Sequence, residues 1–184
     1  MTTAAVDQLT GTYTLDPAHT RIGFVARHAM VTKVRGSFNE FEGTADLTAQ
    51  DPSGWSAAVT IQAASIDTRN EQRDGHLRGN DFLSMDEYPT ITFVSTDVER
   101  VDESIFRVTG DLTVRGITRP VTIDFEYQGV ATDPFGNVRI GFEGSVAISR
   151  KDFGITWNAA LETGGVLVGD RVVLEFEVSA IKTG

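Results

Sequence analysis

The segment Ser65–Phe93, SIDTRNEQRDGHLRGNDFLSMDEYPTITF, interrupts a sequence that elsewhere alternates between apolar and polar residues. Thr68 and Glu71 have the spacing of a capping box, in which the threonine oxygen accepts from a backbone amide and the glutamate reaches back to the cap. A helix is therefore expected to begin near Arg69. Two glycines within the segment keep it short, since each weakens a helix interior by about 1 kcal/mol relative to alanine.

The remainder of the segment predicts a lid. Leu77, Phe82 and Leu83 are its large apolar side chains, and they would hold the helix against an apolar surface. Tyr88-Pro89 favours an extended backbone, because proline disfavours the helical conformation in the residue before it. Residues 69–84 are therefore expected to form a short helical lid across the mouth of a β structure.

Around the lid, apolar residues recur at every second position, which is typical of half-buried strands. Val34–Leu47 predicts a long strand with a bulge or bend near Asn39-Glu40, where the alternation changes phase. About eight such strands of roughly nine to twelve residues, joined mostly by short turns, predict an all-β antiparallel meander or barrel. The apolar faces carry Ile22, Phe24, Ala26 and His28; Trp55, Ala57, Val59, Ile61 and Ala63; Ile91, Phe93 and Ser95; Phe106, Val108, Gly110, Leu112 and Val114; Val121, Ile123, Phe125 and Tyr127; Ile140, Phe142, Gly144, Val146 and Ile148; and Val172, Leu174, Phe176 and Val178.

The interior of an eight-stranded barrel is either filled by side chains or holds one small ligand. Small residues recur on the inward faces beside phenylalanines, and small groups next to large ones can leave room for a ligand. The alternative is that they only taper a sealed core. The small residues concerned are Ala26, Ala57, Ala63, Ser95, Gly110 and Gly144.

Composition excludes several classes of function. The 184 residues fit one domain that can bury a core or enclose a cavity. The absence of cysteine excludes disulfides, thiolate metal sites and cysteine nucleophiles. A net charge of −10 argues against binding to nucleic acid or to an anionic membrane. Since the chain shows neither a secretory signal nor a membrane-spanning apolar stretch, we expect a cytoplasmic protein without stable membrane insertion.

Several segments together resemble the YceI-like family of bacterial lipid-binding proteins. They are YTLDPAHTRIGF (Tyr13–Phe24) with His28 and VRGSF (Val34–Phe38), the lid segment Ser65–Phe93, GDLTVRGITRPV (Gly110–Val121), SRKDFG (Ser149–Gly154) and VGDRVVLE (Val168–Glu175). The resemblance implies a lipocalin-like, eight-stranded antiparallel barrel whose hydrophobic pore holds a polyisoprenoid chain, with no established catalytic activity. It also implies a single barrel domain over residues 12–184, preceded by a flexible N-terminus, residues 1–11. Many family members carry an export signal, which this sequence does not show.

The residues that could carry chemistry do not form a recognisable catalytic or metal motif. His19, His28 and His76 lack a tight metal-ligand spacing, and no Gly-x-Ser-x-Gly elbow is present. We expect His19 to satisfy backbone groups in the Asp16-Pro17 turn and His28 to lie as a polar tip at a barrel rim. His76 is expected to hydrogen-bond a neighbouring loop. No catalytic residue, metal ligand or cofactor is therefore predicted.

Basic residues cluster in an otherwise acidic protein. Arg69, Arg73 and Arg78 lie in the lid segment, and Arg150 follows a predicted strand. Salt bridges to the lid's own carboxylates, Glu71, Asp74 and Asp81, are one explanation. A diphosphate-binding role is the other, because a guanidinium recognises phosphate oxygens with strong hydrogen bonds.

The resulting hypothesis is a non-enzymatic carrier, reservoir or sequestering protein for a long-chain polyisoprenoid, of the isoprenoid quinone or prenyl diphosphate type. One alternative is an enzyme that acts on an amphiphilic isoprenoid with rim histidines, and another is a structural module that forms a homodimer. The predicted ligand contacts are Phe24, His28, Phe38, Ala57, Ile61, Leu77, Phe82, Phe93, Phe106, Leu112, Ile123, Phe125, Phe142, Trp157 and Phe176.

Overall fold

The computed structural model describes residues 6–161 and 167–184. This part of the chain is mostly β-strand, with one α-helix, α1, Glu71–Arg78. Short 3-10 turns lie at Val6–Leu9, Pro52–Gly54, Ala63–Ser65 and Arg150–Phe153. The strands are β1 Thr12–Leu15, β2 Arg21–His28, β3 Thr32–Phe38, β4 Phe41–Asp46, β5 Ser56–Gln62, β6 Ile66–Asp67, β7 Thr90–Arg100, β8 Ile105–Val114, β9 Ile117–Thr132, β10 Val138–Ser149 and β11 Val168–Lys182.

Eight of the strands close an antiparallel barrel, in the order β1-β4-β5-β7-β8-β9-β10-β11. Closure occurs where β1 pairs with the end of β11, with Tyr13 opposite Lys182 and Leu15 opposite Ala180. The predicted all-β, eight-stranded, lipocalin-like barrel with a short helix is thus confirmed. The alternation of side chains along each strand could predict the barrel strands, because one face of a closed sheet contacts solvent and the other lines the interior.

The long strand β11 has two partners on the same edge. Its first half pairs with β2, with Phe176 opposite Ile22, and its end pairs with β1. Residues 16–20 link the two partners. Strand β3 then pairs with β2 and with the short β6, so these three strands extend the wall beside the closed ring. Strand β1 is only four residues long, too short for its alternation to be recognised in the sequence.

The single strand predicted over Val34–Leu47, with a bulge or bend near Asn39-Glu40, is two strands, since β3 ends at Phe38 and β4 begins at Phe41. Asn39 N donates to Ser65 O at 3.2 Å, whereas Gln62 N donates to Glu40 O at 2.9 Å. The two residues therefore bond to different points on the connection that leads toward α1. A bend at this position steers β3 and β4 into different parts of the wall.

The lid helix begins two residues later than the capping box predicted. Asn70 is the N-cap, and its side chain accepts from Arg73 N at 3.0 Å. Arg69 has a left-handed backbone with φ of 66°, which is incompatible with a helical residue. The capping-box prediction for Thr68 and Glu71 is therefore wrong. Asparagine is preferred over threonine as an N-cap, and the helix begins after the more favoured of the two residues.

The N-terminal segment that we expected to be flexible, residues 1–11, is only partly described. Residues 1–5 lie outside the described residues. Beyond them, Leu9 is completely buried, and its carbonyl accepts a hydrogen bond of 3.0 Å from the Tyr13 hydroxyl. Gly11 and Leu47 exchange backbone hydrogen bonds of 3.4 and 2.8 Å. Leu9 thus plugs the end of the barrel opposite the lid, where it packs with Tyr13, Leu47, Trp55, Val98, Phe106, Tyr127, Ile140 and Ala180.

Candidate functional site: an apolar cavity beneath the lid

A cavity of about 340 Å³ lies inside the barrel. Its volume falls within the range of about 300–1,000 Å³ that is typical of small-molecule sites. Leu77 at the end of α1, together with Phe82 and Leu83 in the turns that follow, lines the cavity beneath the lid. The three apolar side chains that predicted a lid therefore do cover an apolar space, and the lid segment belongs to the wall of the site.

The predicted ligand contacts line this cavity, with the exceptions of His28 and Trp157. His28 ends β2 and is exposed to solvent outside the cavity lining, so its contact with a ligand stays a prediction. Trp157 packs just outside the cavity, with its ring centroid 4.7 Å from that of His76 and 5.4 Å from that of Phe82. That the lining residues contact a bound lipid remains a prediction.

Other lining residues were missing from the predicted contacts, although the signal for most of them was present. They continue the inward faces that the period of two defines, so a complete reading of that period would have included them. These residues are Ile22, Ala26, Val59, Ile91, Val108, Val114, Val121, Ile140, Ile148, Val172, Leu174 and Val178.

Two glycines predicted to leave room for a ligand, Gly110 and Gly144, instead make room for phenylalanine rings. A Cβ added at Gly110 would lie 2.5 Å from Phe93 Cζ, and one at Gly144 would lie 2.9 Å from Phe125 Cδ1. The missing side chains therefore allow the phenylalanine rings of neighbouring strands to lie close against the sheet. For Gly110 and Gly144 the prediction of free space is wrong, whereas Ala26 and Ala57 do line the cavity.

Arg150 is the one charged residue in the lining of the described cavity, and it is 4% exposed. Its guanidinium donates to Ile155 O and Trp157 O at 2.9 Å each, to Gly169 O at 3.0 Å and to Val168 O at 3.2 Å. Burial lowers the pKa of Arg150, against the opposing effect of Asp170. Carbonyl oxygens thus satisfy this cation, which ties residues 150–157 to the start of β11. Two roles were predicted for Arg150, a salt bridge to the lid and diphosphate binding. The observed hydrogen bonds to carbonyl oxygens correspond to neither role.

Two of the three lid arginines also bind backbone carbonyls. Arg73 donates to Thr68 O and to Thr68 Oγ1, both at 2.7 Å. Arg78 donates to Ala64 O at 3.0 Å, and its Nη1 lies 3.6 Å from Glu71 Oε1. The salt bridge predicted within the lid therefore exists for Glu71. The other two lid carboxylates, Asp74 and Asp81, bind Thr68 and His76 instead.

The three histidines lie apart and serve separate local structures. His19 Nδ1 lies 2.7 Å from Asp16 Oδ2 within the turn that was predicted to hold it. His76 Nε2 lies 2.9 Å from Asp81 Oδ2, a residue of its own lid segment. Within residues 6–161 and 167–184, no group of three or more histidine and carboxylate residues could hold a metal ion. The described part of the chain also contains no helix long and apolar enough to cross a membrane.

A closed antiparallel barrel with an apolar interior and a covering lid belongs to the class of β-barrels that enclose small ligands. Residues 13–180 match the YceI-like domain, and the chain belongs to this family. Among curated proteins, the UPF0312 protein SAS2572 of Staphylococcus aureus (strain MSSA476) is 43% identical over 169 residues, covering 91% of this chain and 95% of that protein.

Solved structures share the fold. The Campylobacter jejuni YceI protein is 32% identical, with a TM-score of 0.70, covering 86% of this chain and 90% of that one. Burkholderia cenocepacia BcnA is 25% identical, with a TM-score of 0.76, covering 90% and 98%. A polyisoprenoid binding domain from Saccharophagus degradans, implicated in plant cell wall breakdown, is 15% identical with a TM-score of 0.72, covering 93% and 98%, and shows the likeness of fold alone.

Proposed function

We propose that this protein binds a long-chain polyisoprenoid in the barrel cavity and acts as a non-enzymatic carrier or reservoir. The observation that carries the proposal is the lining of the cavity. It is almost wholly apolar, and its one charged group in the described structure, Arg150, already donates to four carbonyl oxygens. Membership of the YceI family and the fold shared with a polyisoprenoid binding domain support the same ligand class.

Burial of the hydrocarbon chain supplies the binding energy in this proposal. Each CH₂ group removed from water contributes about 0.8 kcal/mol. A five-carbon prenyl unit then contributes roughly 2–4 kcal/mol before the cost of freezing its torsions. The aromatic rings along the wall, such as those of Phe24, Phe38 and Phe176, offer flat apolar surfaces to such a chain.

Affinity should follow chain length more than head group. The lid arginines Arg73 and Arg78 are held by backbone carbonyls, and the net charge of −10 opposes an anionic head group. A quinone, a prenol or a prenyl diphosphate would then bind through the same tail. If a guanidinium did bind a diphosphate, loss of the phosphates would cost about 1.5–3 kcal/mol and added salt would weaken binding.

Two experiments test the proposal. Organic extraction of the purified protein, followed by mass spectrometry, should release an isoprenoid lipid. Titration with prenols of increasing length and with the matching diphosphates, at two salt concentrations, should give affinities that rise with chain length until the cavity is full. Equal affinity across chain lengths, combined with strong dependence on phosphate and salt, would contradict the proposal.

The two alternatives lead to different results. An enzyme that used His28 or His76 should lose turnover of an amphiphilic isoprenoid when those histidines are replaced by alanine, whereas a carrier should retain lipid as before. The structural homodimer should show twice the chain mass in solution whether or not lipid is present. Solution mass measured with and without added prenol therefore separates the homodimer hypothesis from the carrier hypothesis.

A further inference from the structure

The hairpin formed by β2 and β3 ends in a turn at the rim of the cavity, next to Val168 of β11, which lines the cavity opposite His28. Ala26 still lines the cavity, but the strands continue to the pair formed by His28 and Thr32. With about 3.3 Å per residue, the turn stands roughly 10 Å beyond Ala26. At the tip, Met30 is 56% exposed and Val31 is 75% exposed. The hairpin therefore presents two apolar side chains to solvent at the end of the barrel that carries the lid.

The tight turn directs these apolar residues outward. Ala29 and Met30 have φ angles of 51° and 63°, and Val31 N donates to His28 O at 3.2 Å. Consecutive left-handed residues in a hairpin turn are usually asparagine or glycine, which tolerate a positive φ. An alanine and a methionine are found here instead. Local folding preferences therefore do not explain the residues at this tip.

The flanks of the hairpin carry a concentration of positive charge. Between Asp16 and Glu40 the chain contains no acidic residue, but it contains four cations, Arg21, Arg27, Lys33 and Arg35. Arg27 on β2 lies directly opposite Lys33 on β3. Like charges in directly opposed positions destabilise a sheet. In a chain with a net charge of −10, this arrangement indicates an anionic partner outside the fold.

Neighbouring elements do not neutralise the hairpin in the described structure. Arg21 pairs with Glu175 at 3.3 Å, but the part of the chain that the structure describes supplies no ion pair to Arg27, Lys33 or Arg35. The nearest acid of β11 is Asp170, whose carboxylate accepts from Ser149 Oγ at 2.6 Å and from Lys151 N at 3.2 Å.

The short strand β6 and the start of β11 complete the surroundings of the hairpin. Asp67 of β6 lies opposite Ser37 near the base of the hairpin, and its carboxylate accepts from Asn39 Nδ2 at 3.3 Å and Arg69 N at 2.9 Å. Arg171 of β11 is exposed and adds a further cation. The carboxylates around the hairpin therefore accept hydrogen bonds near its base, and the tip remains cationic and apolar.

We propose that the β2–β3 hairpin docks the barrel onto an anionic lipid surface. Met30 and Val31 would enter the interfacial region, while Arg27, Lys33 and Arg35 lie near the lipid phosphates. Each basic residue near such a surface strengthens binding by about fivefold. The inference goes beyond the proposed function, since it holds whatever the cavity contains. It departs from the sequence-based expectation that anionic membranes are excluded, because that expectation considered the net charge and not its local distribution.

The opposite end of the barrel provides a matched control. Phe135, at the turn between β9 and β10, is 87% exposed and is thus an even more accessible apolar tip. Asp133 of the same turn pairs with Arg139 at 2.8 Å, and in the described structure no two cations face each other across β9 and β10 as Arg27 and Lys33 do across β2 and β3. If exposure of an apolar side chain were enough for docking, this tip would serve equally well.

The test is flotation of the full chain with vesicles of phosphatidylcholine alone or mixed with phosphatidylglycerol. We expect binding to the mixed vesicles, weakened by salt because exposed charges are screened. A triple variant, Arg27→Gln/Lys33→Gln/Arg35→Gln, should bind at least tenfold more weakly, and Met30→Ser/Val31→Ser should also lose binding. Phe135→Ser should bind like the parent. Thermal melts establish that every variant is folded.

Three results would overturn docking: no preference for phosphatidylglycerol, unchanged binding of the triple variant, or equal loss of binding in Phe135→Ser. Prenol binding measured on the same proteins without vesicles separates this inference from the proposed function. Loss of vesicle binding with intact prenol binding in the hairpin variants supports both. A parent protein that binds prenol but not mixed vesicles contradicts only docking, and one that binds vesicles but no prenol contradicts only the carrier proposal.

Discussion

Thr68 and Asp74 are joined by two hydrogen bonds to a single carboxylate oxygen. Asp74 Oδ1 accepts from Thr68 N at 2.9 Å and from Thr68 Oγ1 as well. Both residues are buried, with exposures of 3% and 4%. Arg73 completes the arrangement by donating to the same threonine. This contact fastens the chain before α1 to the first turns of the helix, and so it fixes the lid to the wall.

Breaking this contact should loosen the lid. Asp74→Ala leaves the buried Thr68 N–H unpaired, which costs about 1–3 kcal/mol of folding stability. If the lid gates the cavity, a bound prenol should also dissociate faster from this variant, as stopped-flow competition would measure. Asp74→Asn is the control, since its amide oxygen can still accept both bonds. Equal dissociation rates for Asp74→Ala and the parent would show that the lid does not limit release.

Filling the cavity should block binding with little loss of stability. Ala57 lines the cavity, so Ala57→Phe would occupy space that a ligand needs. By contrast, Gly144→Ala places a Cβ 2.9 Å from Asp124 O and should cost about 1–3 kcal/mol as overpacking. Prenol titration and a thermal melt on both variants check this. A strongly destabilised Ala57→Phe variant would mean that the interior is already full.

Removal of the Arg150 guanidinium should destabilise the fold strongly. Arg150→Met removes the donor to four carbonyl oxygens, and the contacts to Ile155 O and Gly169 O are buried. Each buried group left unsatisfied costs about 1–3 kcal/mol, so we expect a loss of roughly 2–6 kcal/mol, measured by urea unfolding. Lys151→Met, next to it on the surface, should change stability by less than about 0.5 kcal/mol. Similar effects of the two substitutions would refute the structural role of Arg150.

Acid should weaken the end of the barrel opposite the lid. Burial tends to raise the pKa of Asp133, but hydrogen bonds from Arg139 and from the Asn137 and Phe135 amides outweigh it and lower the pKa from 3.8 to about 2. Arg139, followed by His19, likewise lowers the pKa of Asp16. Because both folded-state pKa values lie below the unfolded ones, this stabilisation is complete above about pH 4 and disappears as the pH falls toward 2.

The variant Asp133→Asn tests this pH dependence. It removes the titrating carboxylate but keeps an oxygen that can accept from the two backbone amides. We expect the difference in unfolding free energy between pH 5 and pH 2 to be smaller in Asp133→Asn than in the parent, with most of the change below pH 4. An identical loss of stability in both proteins over that range would rule out Asp133 as a source of acid sensitivity.

Much of the barrel could be predicted from the sequence because the side chains of a strand alternate between two faces. Ile123 and Phe125 had to lie on the same face as long as their strand was extended, whatever its neighbours were. The lid was predictable in the same way, because Leu77 and Phe82 needed an apolar surface and the chain offered one. The capping box failed because Asn70, a stronger N-cap than Thr68, lies two residues further along the chain.

The remaining features depend on residues that are distant in the sequence. Gly110 and Gly144 face phenylalanine rings from neighbouring strands, so only the alignment of the strands shows that their space is taken. The partners of Arg150 are backbone carbonyls, which every residue carries and which therefore leave no mark in a sequence. The opposition of Arg27 and Lys33 likewise follows from the pairing of β2 with β3. Alternation determines which face of a strand a residue occupies, but strand pairing and chain closure determine what it meets there.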